Sequence, residues 1–75
     1  PIGLFDRGML YLNLNRYSEA ISDLTEALNK RDNDKAYLRD IYHLRAKAYQ
    51  ALGEREKAAA DLENIKELGY SPDNK

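Results

Sequence analysis

The chain matches itself at an offset of 38 residues (Arg7 to Arg45), and this repeat constrains the fold more than any other feature. Arg7 falls on Arg45, Tyr11 on Tyr49, Leu14 on Leu52, Ala20 on Ala58, Asp23 on Asp61 and Leu24 on Leu62. Leu4 with Tyr42, Gly8 with Ala46 and Leu10 with Ala48 are conservative pairs at the same offset. A repeat that fills a short chain makes each unit one supersecondary element, stacked on its copy to bury a face it cannot bury alone.

Each unit reads as a pair of helices. Eleven Leu and nine Ala stand against four Ile, one Thr and no Val, so good helix formers dominate and strand formers are scarce. The first helix is expected from about Gly3 to Leu14, with Asn15 tolerating the left-handed turn after it. The second is expected from Ser18, taken as its N-cap, to about Lys30, burying Ala20, Ile21, Leu24, Ala27 and Leu28. The third runs from about Asp34 to Leu52 with two apolar stripes and ends at Gly53. The fourth runs from about Glu54 to Leu68, with Gly69 as its stop and Tyr70 placed for the apolar contact that closes such a turn. The expected fold is all-α, four antiparallel helices in two hairpins. The first unit spans about 1–33 and the second about 34–70, within one domain over 1–75.

Composition then removes whole classes of function. There are no cysteines and one histidine, so disulfide frameworks and Cys- or His-dominated metal sites are excluded. Twelve Lys and Arg against thirteen Asp and Glu leave no broad basic surface for nucleic acid. No apolar run approaches the roughly 18 residues of a membrane span. His43 has no Ser or Cys partner pattern, and Gly3 with Gly8 is not a phosphate loop, since no Lys-Ser/Thr follows. The acid pairs Asp32 with Asp34 and Glu54 with Glu56 stand at helix starts, where they answer the helix dipole. Neither catalytic residues nor a cofactor are expected.

The packing positions carry a family resemblance. Leu4, Gly8, Tyr11, Ala20, Leu24 and Ala27 in the first unit, and Tyr42, Ala46, Tyr49, Ala58, Leu62 and Ile65 in the second, resemble the tetratricopeptide repeat family. Small residues at Gly8, Ala20, Ala46 and Ala58 allow paired helices to approach, and Tyr11 and Tyr49 fill the space beside them. The chain departs from the usual pattern in its spacing, 38 residues instead of about 34. The extra four fall within Asp32 to Arg39 and amount to about one more helical turn. Arg7 and Arg45 replace an apolar residue in step with Asp23 and Asp61, a variant in which each arginine is expected to pair with the acid sixteen positions on. Arg45 is also expected to face Asp23 across the seam between units. Asp32 stands where many members have Pro, and residues 71–75 resemble the turn that opens a further unit. With the start at Pro1, the chain reads as a piece of a longer solenoid, and a cytoplasmic setting is expected from the lack of cysteine and of a signal-like opening.

The resemblance implies a protein- or peptide-binding scaffold whose partner docks on the concave face. The lining residues would be Phe5, Met9, Leu12 and Asn13, then Asp40, His43, Lys47 and Gln50. Phe5, Met9 and Leu12 have a second reading, as surfaces for an adjoining repeat. Phe5, Met9 and Leu44 occupy the positions where chaperone-tail binders place Lys and Asn, so that carboxylate clamp is not expected. The other function class is a structural or self-associating element, a homo-oligomer through uncapped ends, with apolar patches expected at Phe5, Met9 and Leu12 and at Ile65, Leu68 and Tyr70. Protein or peptide partners are expected, without nucleic acid or membrane.

Overall fold

The computed structural model describes residues 2–30 and 32–69. Four helices follow one another: α1 (Leu4–Asn13), α2 (Tyr17–Leu28), α3 (Lys35–Ala51) and α4 (Arg55–Leu68), and no strand occurs among the described residues. α1 packs on α2 and α3 on α4, while α2 against α3 forms the seam between the two hairpins.

The two hairpin turns are copies of each other. Asn15 adopts φ +62 and Gly53 φ +79, both left-handed. The Asn15 amide donates to the Leu12 carbonyl at 3.0 Å and the Arg16 amide to that of Tyr11 at 2.8 Å. The Gly53 amide donates to Gln50 at 3.1 Å and that of Glu54 to Tyr49 at 2.8 Å, the same pair 38 residues on. This closure satisfies the last carbonyls of each first helix. It also corrects the expected start of the second helix. Arg16 ends one turn and is already the N-cap of α2, so Ser18 lies inside the helix and caps nothing. Gly69 is left-handed at φ +72 after α4, as expected of the stop; the Tyr70 contact and the turn at 71–75 lie outside the described residues.

α3 runs within one residue of the expected Asp34 to Leu52 at each end. The counterpart of Leu4 is Tyr42, so α3 begins nearly two turns before the repeat register. Asp34 caps it, its Oδ1 accepting from the amides of Ala36 at 3.0 Å and Tyr37 at 3.2 Å. The added turns carry Tyr37, and they position the core. Leu24, Ala27 and Ile41 form a buried cluster at the seam, with Leu4, Phe5, Leu28, Tyr37 and Leu44 packed around it. Leu24 and Ile41 are both completely buried, each contributing about 1.5–3 kcal/mol relative to exposure.

Gly8 sets the approach of α1 to α2. A Cβ there would lie 2.9 Å from Leu24 Cγ and 3.0 Å from its Cδ2, so the completely buried Leu24 side chain would have to shift. Ala46 occupies the equivalent place in the second unit, where Leu62, the counterpart of Leu24, is 41% exposed.

Candidate functional site

Two bidentate ion pairs brace the hairpins. Arg7 donates from Nε and Nη2 to Asp23 Oδ2 and Oδ1 at 2.8 and 2.9 Å. Arg45 donates to Asp61 in the same way at 2.9 and 2.6 Å. Sixteen residues separate each pair, so Arg7 and Arg45 each reach across their own hairpin, as the sequence predicts. The fork geometry fixes the rotation of one helix against the other. The Arg7 guanidinium holds the Asp23 carboxyl below the usual carboxylate range, through its hydrogen bonds first, against the opposing effect of burial. The same bonding raises Arg7 and Arg45 above the ordinary arginine value.

The environments of the two pairs differ. Arg7 has 48% of its side chain exposed and Arg45 only 15%, because α2 covers the second. The expected seam contact of Arg45 with Asp23 is replaced by another: Nη1 of Arg45 donates to Thr25 Oγ1 on α2 at 2.9 Å. Both oxygens of Asp23 already accept from Arg7, and Thr25 presents the acceptor nearest the free edge of the fork. Arg45 also lies over the rings of Tyr42 and Tyr49, 5.8 and 5.7 Å from their centroids. One side chain thereby joins three helices.

The residues expected on the concave face do not gather in one place. Leu12 and Asn13 of α1 meet Lys47 and Ala51 of α3 in an open groove of about 320 Å³, completed by Asn15 and Tyr17. The Tyr17 hydroxyl donates to Asn15 Oδ1 at 2.9 Å and fixes that rim. Asp40 and His43 line a second groove of about 430 Å³ with Arg39, Leu62 and Ile65, and Asp40 accepts from Arg39 Nη2 at 2.7 Å. Gln50 lines a third, of about 280 Å³, with Arg55, Ala58, Ala59 and Leu62. Met9 is exposed and lies in none of the three. Phe5 is half-buried with its ring centroid 5.4 Å from that of Tyr37, so it packs on the following unit. The extension of α3 accounts for that contact.

The end patches also shift from expectation. Ile2, Met9, Leu10 and Leu14 are the exposed large apolar residues around α1, with Leu52 and Leu62 in the second unit. Leu12, Ile65 and Leu68 are half-buried. Among the described residues no group of three His, Asp or Glu side chains is placed to hold a metal ion, and no helix is long and apolar enough to cross a membrane.

Two tetratricopeptide repeat profiles match the sequence, over residues 1–34 and 40–68. The chain belongs to the tetratricopeptide repeat family. Repeats of this family generally mediate protein–protein interaction and are generally non-catalytic. The chain is also similar to a 58 kDa phosphoprotein of Plasmodium berghei, 44% identical over 64 residues, covering 85% of the chain and 14% of that protein. No solved structure matches the chain. The boundary between the two profile matches falls on Lys35 to Arg39, the part of α3 that precedes the repeat register.

Proposed function

We propose that this protein is a non-catalytic scaffold that binds an extended segment of a partner protein across α1 and α3. The observation that supports this reading is the groove in which residues of both units meet: Leu12, Asn13 and Asn15 from the first, Lys47 and Ala51 from the second. Leu12 and Ala51 offer an apolar floor, the two asparagines offer amide donors and acceptors for a peptide backbone, and Lys47 is a cation with no carboxylate among its fellow lining residues. Such a groove suits a segment with an acidic side chain beside a small apolar one. Asp40, His43 and Gln50 extend the face toward α4, and Met9 extends it toward the start of α1. The partner is not held by a carboxylate clamp, because Phe5, Met9 and Leu44 supply none of the amide or ammonium groups a clamp needs.

A test is selection of binders from a random decapeptide library displayed on phage, followed by titration of the winning peptides. The proposal expects acidic consensus peptides whose affinity falls about tenfold or more for Lys47→Glu. Binders that ignore both Lys47→Glu and Leu12→Asp would contradict it.

A further inference from the structure

We infer that Asn15 sets the specificity of the α1–α3 groove: its side-chain amide turns N–H donors to the occupant and, with Lys47, selects a carboxylate of the partner over an uncharged amide. The inference rests on the proposed binding at that groove and names the group bound there. Tyr17 is the positioning residue that holds the Asn15 amide in this orientation.

The repeat supplies the comparison. Asn15 and Gly53 are counterparts at the 38-residue offset, and both are left-handed, at φ +62 and +79. Their backbone amides close the same turn, donating to Leu12 at 3.0 Å and to Gln50 at 3.1 Å. The second turn is therefore complete without a side chain, and glycine adopts that conformation at lower strain than asparagine. The side chain of Asn15 is not what closes the turn. Tyr17 is likewise particular to the first unit, since Arg55 stands at its counterpart. These two departures meet. The Tyr17 hydroxyl donates to Asn15 Oδ1 at 2.9 Å, and both residues line the groove with Lys47.

That bond decides what Asn15 shows to a ligand. A side-chain amide has one acceptor oxygen and two N–H donors. With Oδ1 accepting from Tyr17, Nδ2 lies on the other edge of the amide, and among the described residues it donates to no protein group. Lys47 has donors only. It is exposed and enters no ion pair among the described residues. A carboxylate brings two acceptor oxygens, one for Asn15 Nδ2 and one for Lys47 Nζ. A glutamine or asparagine side chain brings one oxygen, and its own NH2 group would then face a donor. Hydrogen bonds to a charged acceptor are also the stronger ones.

Isothermal titration calorimetry of the full 75-residue chain with two decapeptides tests this. One is the library-selected acidic peptide, and the other is the same peptide with its acidic residue replaced by the matching amide. The native chain should prefer the acidic peptide by about tenfold or more. Asn15→Gly, the residue of the second turn, should lower that preference to about threefold, the part that Lys47 maintains. Tyr17→Phe keeps the ring and lets the Asn15 amide turn over. Its preference should also fall to about threefold, with the amide peptide bound more tightly than by the native chain. Asn15→Asp keeps an acceptor for Tyr17, turns an anionic oxygen to the groove and should invert the preference. A loosened turn alone would weaken both peptides equally. Circular dichroism checks that each variant keeps its helices. A preference unchanged in Asn15→Gly and Tyr17→Phe, with Lys47→Glu still weakening the acidic peptide, overturns this inference and leaves the proposed face in place. Binding that ignores both Lys47→Glu and Leu12→Asp overturns the proposed face, and this inference with it.

Discussion

Replacing Asp61 by Asn tests the claim that the second ion pair holds the two hairpins in one arrangement. The change keeps the shape of the side chain and removes its charge. Arg45 is left with 15% of its side chain exposed and with Thr25 as its remaining hydrogen-bond acceptor. Breaking a fully buried pair by removing one partner costs about 3–5 kcal/mol. The residual exposure and the Thr25 bond reduce this to about 2–3 kcal/mol for Asp61→Asn. In a domain of this size each kcal/mol moves the midpoint by about 4–8 °C, so thermal melts should shift down by at least about 8 °C. Asp23→Asn is the internal control. Its partner Arg7 is 48% exposed, regains water when the carboxylate is lost, and should shift the midpoint much less. A third variant separates charge from shape: Arg45→Met with Asp61→Leu replaces the pair by apolar side chains and should recover most of the lost stability. Equal losses for Asp61→Asn and Asp23→Asn, or a loss under about 3 °C for Asp61→Asn, would refute the reasoning.

Three other outcomes follow from the packing and the charges. The depressed Asp23 carboxyl contributes stability that is present above the ordinary carboxylate value of about 4 and is lost as pH falls through and below it, so urea midpoints should drop on the acid side and Asp23→Asn should flatten that drop. Leu24→Ala should cost about 3 kcal/mol in urea unfolding, whereas Leu62→Ala, at the same repeat position but 41% exposed, should cost under about 1 kcal/mol. Gly53→Ala should cost about 1 kcal/mol by the same measurement through its φ of +79 alone, because no atom lies within 4 Å of the added methyl group.

The sequence carried the fold where local chemistry and the repeat agreed. Arg7 and Arg45, with Asp23 and Asp61, gave both the register and the pairing, since sixteen residues return an antiparallel helix to the same level. Asn15, Gly53 and Gly69 marked three helix ends through a backbone conformation that few other residues adopt at low cost. Less was legible at the seam. The extent of α3 was legible, but the contact its start makes was not: Tyr37 packs on Phe5, 32 positions away. Thr25 as the second hydrogen-bond partner of Arg45 depended on the rotation of α2, which no local pattern encodes. Ser18 resembled an N-cap by residue type, but the closed turn at Asn15 had already used Arg16 for that position. The candidate face was placed on α1 and α3 by analogy, and its residues line three separate grooves, two of them shared with α4. Leu12, Asn13 and Lys47 could be named from the sequence; Asn15 and Tyr17 as their neighbours, and Leu62 beside His43, could not.

Amide chemical-shift mapping with a library-selected acidic peptide measures the proposed binding face directly. The account predicts saturable shifts at Leu12, Asn13, Asn15, Tyr17, Lys47 and Ala51, with smaller ones along the exposed turn of α3 at His43 and Gln50. Shifts confined to α2 and α4, with the α1–α3 groove unmoved at saturation, would contradict it.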